Sequence, residues 1–206
     1  MPDKERLDQA RSQTRQVYQT HAGQFDRDRN KSLFEKTCID RFLETLPVGG
    51  SILDLGCGSG EPIAAYLIAR GFKLTGIDYA PAMIELARSR FSDHQWHVQD
   101  MRRVQLTGLY NGVLSWNGFF HLNKDEQRSA LPKLCERVAR DGSIMLTVGP
   151  KESEVTGTVA GQTVYHASLG EAEYRALLTK SGFAQIQFSA EDPACDRHSI
   201  LVARRS

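Results

Sequence analysis

The chain has 206 residues, 40% of them hydrophobic and 25% charged, and a formal net charge of +1. That length suits one domain with a sizeable core and leaves little room for two. The near-neutral balance gives no basic field to collect nucleic acid, and the short Arg102-Arg103 and Arg204-Arg205 pairs do not change that. The polar N-terminus lacks the apolar stretch of a signal peptide, and no apolar run approaches a bilayer span, so a cytoplasmic protein without a membrane partner is expected. Cys38, Cys57, Cys135 and Cys195 form no C-x-x-C pair and are expected to be reduced, buried thiols.

Residues 3–21 carry a weak helical stripe of Leu7, Ala10, Thr14, Val17 and Tyr18. A clearer helix is predicted over 32–46, with Phe34, Cys38, Phe42 and Leu46 every four residues and a Ser32–Glu35 capping box. Short apolar runs then follow at 51–55, 74–78, 96–100, 112–116 and 143–148. Helical segments fall between several of them, at 62–70, 81–90 and 123–139, the last with an Asn123–Glu126 capping box and a kink expected at Pro132. Apolar strands separated by helices indicate a parallel sheet covered on both faces. Residues 154–167 alternate about Ala160-Gly161 as a hairpin, and Ser168 with Glu171 is predicted to cap a helix ending at Gly182. The strands at 184–190 and 199–204 are too close in sequence for a crossover and should be antiparallel. The expected fold is α/β and doubly wound, with a seven-stranded, mostly parallel sheet and an antiparallel last strand, in one domain over 1–206.

The stretch "LDLGCGSGEP", residues 53–62, puts a glycine turn between a strand and a helix, a place where a ligand can approach the backbone. A dinucleotide fingerprint would need a third glycine where Glu61 stands. Asp54, just ahead of the turn, disfavours a pyrophosphate and favours a ligand carrying positive charge. Pro62 is tolerated in the first helical turn, where its missing N–H would have no partner. Asp78 and Asp100 close the next two strands, so three successive strands deliver a carboxylate to the edge where such folds bind ligands.

With "LTGIDYAPAMIELAR", "VQDM" and "RVARDGSIMLTVGP" following in order, the sequence resembles the class I S-adenosylmethionine-dependent methyltransferases, with a Rossmann-like fold, over roughly residues 34–204. The resemblance implies S-adenosyl-L-methionine as cofactor. Gly56, Cys57 and Gly58 would follow its methionine part beside Asp54. Asp78 would bind the ribose and Asp100 the adenine amino group, with Tyr79, Met83 and Met101 around the base. Trp116 and Asn117 would lie beside the transferred methyl. Ala80 stands where the family often has a capping serine or threonine, which weakens the cap of the next helix. The segment 1–31, through "VYQTHAGQFDRDRN", resembles a lid, which makes Tyr18, Phe25 and Arg29 candidates for covering the cofactor.

The loop Trp116-Asn117-Gly118-Phe119-Phe120-His121 lacks the D/N-P-P-Y/F pattern of enzymes that methylate bases or protein glutamine. The 154–167 hairpin and the turn at 191–198 should reach the same edge. His121, Tyr165-His166 and Asp192 with His198 are therefore expected to share one pocket, and His121, His166 and His198 are the candidate catalytic groups. No metal site is expected, because Cys195, Asp196 and His198 match no standard ligand spacing. The reading is methyl transfer to the oxygen or nitrogen of a small organic acceptor by a monomer or homodimer. A non-catalytic cofactor-binding module and an NAD-dependent oxidoreductase are the alternatives.

Overall fold

A computed structural model describes residues 2–206, with side chains from Lys4 onward. Strands β1 (Ser51–Leu55), β2 (Lys73–Asp78), β3 (Gln95–Val98), β4 (Tyr110–Ser115) and β5 (Val138–Val148) pair in parallel. A hairpin, β6 (Ser153–Val159) and β7 (Gln162–Ser168), stands apart as a two-stranded sheet. Strands β8 (Phe183–Asp192) and β9 (His198–Arg205) complete the main sheet, whose order is β3-β2-β1-β4-β5-β9-β8. Only β9 runs against the others, pairing antiparallel with β5 and β8. The sheet is seven-stranded, mostly parallel and doubly wound, as expected. Its order reverses between β1 and β4, and the crevice at their carboxyl ends is where such sheets take ligands.

Helices α1 (Pro2–Thr20), α2 (Ala22–Asp28), α3 (Lys36–Leu43), α4 (Ile63–Ala69), α5 (Pro81–Arg90), α6 (Lys124–Cys135) and α7 (Glu171–Lys180) surround the sheet. Alternate strand residues feed two separate cores. Leu53, Leu55, Val113, Ile144 and Leu146 pack with Leu131 and Leu134 of α6 and Tyr174 and Leu178 of α7. Ile52, Leu114 and Met145 pack on the other face with Phe42, Leu67 and Ile84. Both faces are covered, so the strands read as continuous apolar runs. Each such side chain, fully buried, contributes about 1.5–3 kcal/mol. Asp54 shares the face of Ile52, two residues away, and is the charged residue on an otherwise apolar strand.

Local signals succeeded where no other partner competed. Asn123 and Glu126 form the reciprocal capping box of α6, which runs through Pro132 to Cys135. Ala160 and Gly161 take φ of 48° and 74°, the two-residue turn that matches strand twist in a hairpin. Two predicted caps are not formed. Helix α3 begins only at Lys36, because the Glu35 carboxylate turns inward to Arg29. Helix α7 is capped by Gly170, because Ser168 stays in β7, where its hydroxyl accepts from the Gly149 N–H at 3.0 Å. The expectation of four reduced thiols is also corrected. Cys38 and Cys195 are joined as a disulfide with their Cα atoms 6.0 Å apart, and Cys57 and Cys135 are free. The sequence separation of 157 hid this from any spacing rule. Among the described residues no helix is long and apolar enough to cross a membrane.

Candidate active site

The turn after β1 is tied to β2 by its backbone. The N–H groups of Gly56 and Cys57 both donate to the Ile77 carbonyl, at 2.8 and 3.0 Å. Gly58 takes φ +55°, and a Cβ there would meet no atom within 4 Å, so open space lies in front of it. That space is a cavity of about 250 Å³, lined by Asp54, Gly56, Cys57 and Gly58 of the loop, Asp78, Tyr79 and Met83 after β2, and Trp116 and Asn117 after β4. Met101, Tyr18, Phe25, Arg29, Phe120, His121 and His166 close it. A second cavity of about 530 Å³ adjoins it, sharing Tyr79, Met101, Gly118 and His121 and adding Asp100 and Arg15.

Asp78 closes β2, where its Oδ2 accepts from the Gly58 N–H at 3.1 Å and its Oδ1 from the Ala80 N–H at 2.8 Å. It thus braces the glycine turn and stands in for the side-chain cap that Ala80 lacks. Burial pushes its pKa up to about 6 against the help of those backbone donors. Asp54 is pushed up to about 7, first by burial and then by the nearby Asp78 charge. Among the described residues no lysine or arginine pairs with either carboxylate. Burial, then Asp54 and Asp78, likewise raise the Cys57 thiol. Asp100 behaves differently. It lies two residues beyond β3, and its carboxylate accepts from the guanidinium and backbone N–H of Arg102. Burial raises its pKa, but the Arg102 hydrogen bonds outweigh this and leave it below the usual carboxylate range. It faces the second cavity, not the first.

The N-terminal helices roof both cavities. Asp26 of α2 accepts from Ser59 Oγ of the glycine turn at 2.5 Å and from both terminal nitrogens of Arg90 at 2.6 Å. The Arg90 hydrogen bonds are the main reason its carboxyl is lowered to about 2. Arg29 pairs with the fully buried Glu35, whose other oxygen has no partner. Arg15 lies over the Tyr79 ring at 5.7 Å. Nothing in the sequence singled out Asp26, Ser59 and Arg90, since their partnership spans 33 and 64 residues.

The expected single cluster of histidines is two clusters. In the first, the rings of His121 and His166 lie 5.0 Å apart with Phe120 against both. A carbonyl only accepts, so His121 Nδ1–H donates to the Tyr165 carbonyl at 2.8 Å. Its Nε2 then accepts from the Tyr18 hydroxyl at 3.0 Å. Burial, and secondarily His166, lower His121 to about 4, so the ring is neutral near pH 7. Burial also lowers His166, whose ring has no hydrogen-bond partner among the described groups. Tyr165 contributes its backbone; its own hydroxyl turns away to Glu154 at 2.5 Å. In the second cluster, His198 packs against Trp116 and Phe34 and meets the Asn117 amide at 3.3 Å, outside the first cavity's lining. Asp192 does not join it, because its carboxylate holds Arg41 at 2.9 Å and the Ala194 N–H. Cys38, Asp192 and Cys195 do bring potential ligand atoms within 4.8 Å of one another, but both oxygens of Asp192 are already used.

Residues 52–142 match the family model for a methyltransferase domain. The chain is thus similar to methyltransferase domains over 91 of its 206 residues, fewer than half. Its glycine turn, Asp78 and Asp100 all fall inside the matched segment. Curated relatives include the YqeM protein of Bacillus subtilis, 35% identical over 48% of this chain and 40% of its own length. A malonyl-[acyl-carrier protein] O-methyltransferase of Acetivibrio thermocellus is 34% identical over 44% of this chain and 32% of its own. The aligned stretch thus spans less than half the length of these two relatives. Solved structures with the same fold include CalS10, an amino pentose methyltransferase from Micromonospora echinaspora with S-adenosylmethionine bound. It has a TM-score of 0.69 at 20% identity, covering 91% of this chain and 96% of its own. Magnesium protoporphyrin IX methyltransferase from Synechocystis gives 0.68 at 20% identity, covering 96% and 97%.

Proposed function

We propose that this methyltransferase domain transfers the methyl group of S-adenosylmethionine to the oxygen or nitrogen of a small organic acceptor. The observation that carries the reading is the pair of buried carboxylates, Asp54 and Asp78, at the glycine turn. Neither has a protein cation, and both have raised pKa values. A ligand bearing an ammonium and a sulfonium relieves that unpaired charge, whereas a pyrophosphate would worsen it. The backbone of Gly56 to Gly58 passes the methionine part, Asp78 takes the ribose, and Tyr79, Met83 and Met101 flank the base. Asp100, engaged by Arg102, presents only its remaining oxygen lone pairs to the adenine amino group. Residues 1–31 act as a cover, with Tyr18, Phe25 and Arg29 on its inner side.

The cofactor, when bound, supplies the electrophilic methyl group. The chain aligns the acceptor and excludes water from an in-line displacement. A nitrogen acceptor needs only a free lone pair, while a hydroxyl needs a base. His121 is held by Tyr165 and Tyr18, so it orients the cover, and His166 is the histidine free to take a proton. The similar folds of an amino pentose methyltransferase and a glycopeptide N-methyltransferase support small or modest acceptors.

Calorimetry with S-adenosylhomocysteine and NAD tests the cofactor. Binding of the first and not the second is expected, and binding of NAD alone refutes the reading. Labelled S-adenosylmethionine with a metabolite pool then tests transfer. Tight cofactor binding with no labelled product would instead make the domain a binding module.

A further inference from the structure

We propose that the Cys38–Cys195 bond is a redox-sensitive tie that holds the wall of the cofactor cavity, so that its reduction weakens cofactor binding. The inference concerns the regulation of the proposed methyltransferase site and rests on that reading. The bond joins two segments, each of which carries, three residues away, a side chain in contact with the cavity lining. Cys38 lies one turn along α3 from Glu35, whose carboxylate holds Arg29. Cys195 lies three residues before His198, whose Nδ1–H donates to the Cys195 carbonyl at 2.9 Å. His198 packs in turn on Trp116, with ring centroids 5.1 Å apart. Arg29 and Trp116 both line the cavity. Phe34 joins the two arms, with the Arg29 guanidinium 5.4 Å from its ring centre and His198 stacked on it at 5.6 Å.

The turn at 191–198 is held against its own backbone preference. Glu191, Asp196 and Arg197 take φ of 46°, 50° and 58°, and all three are exposed. Residues with a Cβ rarely adopt that conformation, and it persists only where the surroundings impose it. Among the described residues the other polar tie of this turn to α3 is the ion pair of Arg41 with Asp192, whose arginine is half exposed. Such pairs hold weakly in water. Cutting the sulfur bond therefore lets the turn relax, and His198 moves with it. The two cysteines belong to the same buried cluster as Phe42, Met145 and Ile200, so the sheet and its core remain intact in the reduced chain.

The electron donor is a dithiol. One of its thiolates attacks Cys195 Sγ once the turn opens, the S–S bond breaks, and Cys38 leaves as a thiolate. The second thiolate displaces Cys195 as the reductant closes its own disulfide. Two electrons pass to the chain, and the two protons of the dithiol end on Cys38 and Cys195.

The test uses the full chain, oxidised or treated with dithiothreitol without denaturant, with a chelator present so that freed thiolates meet no metal. Thiol titration after unfolding should count the two free cysteines, Cys57 and Cys135, in the oxidised chain and all four after reduction. Equilibrium dialysis with labelled S-adenosylhomocysteine should show an affinity about fivefold lower in the reduced chain, as if the competent cavity were populated about a fifth of the time. Reoxidation with oxidised glutathione should restore it. Cys38→Ala and Cys195→Ala should bind like the reduced chain with or without dithiothreitol, while Cys135→Ala should keep the full response. Four thiols in the oxidised chain, a bond that resists dithiothreitol, an affinity that reduction leaves unchanged, or a response that survives in Cys38→Ala overturns the proposal. So does loss of the folded circular-dichroism signal on reduction, because the bond then only supports the fold. A parent that binds no S-adenosylhomocysteine in either state removes the methyltransferase reading and this inference with it.

Discussion

Asp54→Asn should make the ligand-free protein more stable and a worse binder, and only at the right pH. In the folded chain Asp54 is raised from 3.8 to about 7 by burial and by Asp78. Each tenfold change in acidity corresponds to about 1.4 kcal/mol, so holding this carboxylate ionised in the fold costs up to about 4 kcal/mol at pH 8. The sign follows from proton binding. Between about pH 4 and 7 the folded chain holds a proton that the unfolded chain has lost, so stability falls as pH rises through that window. Above about 7 the cost is complete. Asparagine mimics the protonated form and removes this residue's part of the slope, leaving the part that Asp78 contributes. At pH 8 the variant should melt several degrees higher than the parent, at about 2–4 °C per kcal/mol for a chain of this size. At pH 4 the two should melt together. Calorimetry should show the reverse for S-adenosylmethionine, with affinity at pH 8 reduced about tenfold or more, the value of one charge-assisted contact. Differential scanning calorimetry from pH 4 to 8 reads the first effect. A variant less stable than the parent at pH 8, or a parent whose melting temperature is flat across this window, would refute the reasoning.

Other changes separate the cover from the chemistry. Asp26→Asn removes the ionic tie to Arg90 and weakens that to Ser59. Proteolysis within residues 21–31 should speed up, and S-adenosylhomocysteine affinity should fall about tenfold; an unchanged rate would mean that α2 is held by other contacts. Gly58→Ala meets no steric obstacle, so its cost is backbone strain alone, about 1–2 kcal/mol, read as a melting-temperature drop of a few degrees. A Cβ on Gly157 would lie 2.5 Å from His166 Cε1, so Gly157→Ala should displace that ring. The imidazole resonances of His166 should shift and S-adenosylhomocysteine affinity should persist; unshifted resonances would mean that the hairpin yields instead of the ring.

Sequence pattern was most informative where one interaction dominates. The alternation of Leu53, Leu55 and Ile52 reads as a doubly covered strand because the sheet offers no other environment. "LDLGCGSG" reads as a ligand turn because positive φ restricts the residue types allowed. The Ser32–Glu35 box failed because Glu35 had a better partner in Arg29, a choice made by tertiary structure. The histidines show the same limit. The sequence suggested one pocket for His121, His166 and His198, and the structure sets His198 apart from the other two. Which of them has a free nitrogen depends on Tyr18, the Tyr165 carbonyl and the Cys195 carbonyl, and no spacing rule encodes those contacts.

The way the N-terminal helices are attached explains how a roofed site can admit ligands. Helix α1 buries few apolar side chains, chiefly Ala10 and Val17, and is otherwise charged. Beside small apolar contacts of Leu7 and Ala10 with Tyr165 and Ala167, and of Tyr18 with Met83, its ties are polar, through Thr14 to the Tyr165 N–H, Tyr18 to His121 and Gln19 to the Ala82 N–H. Water can replace each of these at a net cost of about 0.5–1.5 kcal/mol. The sheet has no such exchange available, because separating its strands from α6 or α4 exposes continuous apolar surface. Opening the cover is therefore far cheaper than any loosening of the core. The polar ties on its inner side converge on groups that a ligand also needs, the Ser59 turn and His121. On the proposal that these helices cover the cofactor, a bound ligand that fixes the turn and Tyr79 would favour the observed position through the contacts seen in it. Affinity for the cofactor and order in residues 4–31 should rise and fall together, even in variants that never touch the ligand.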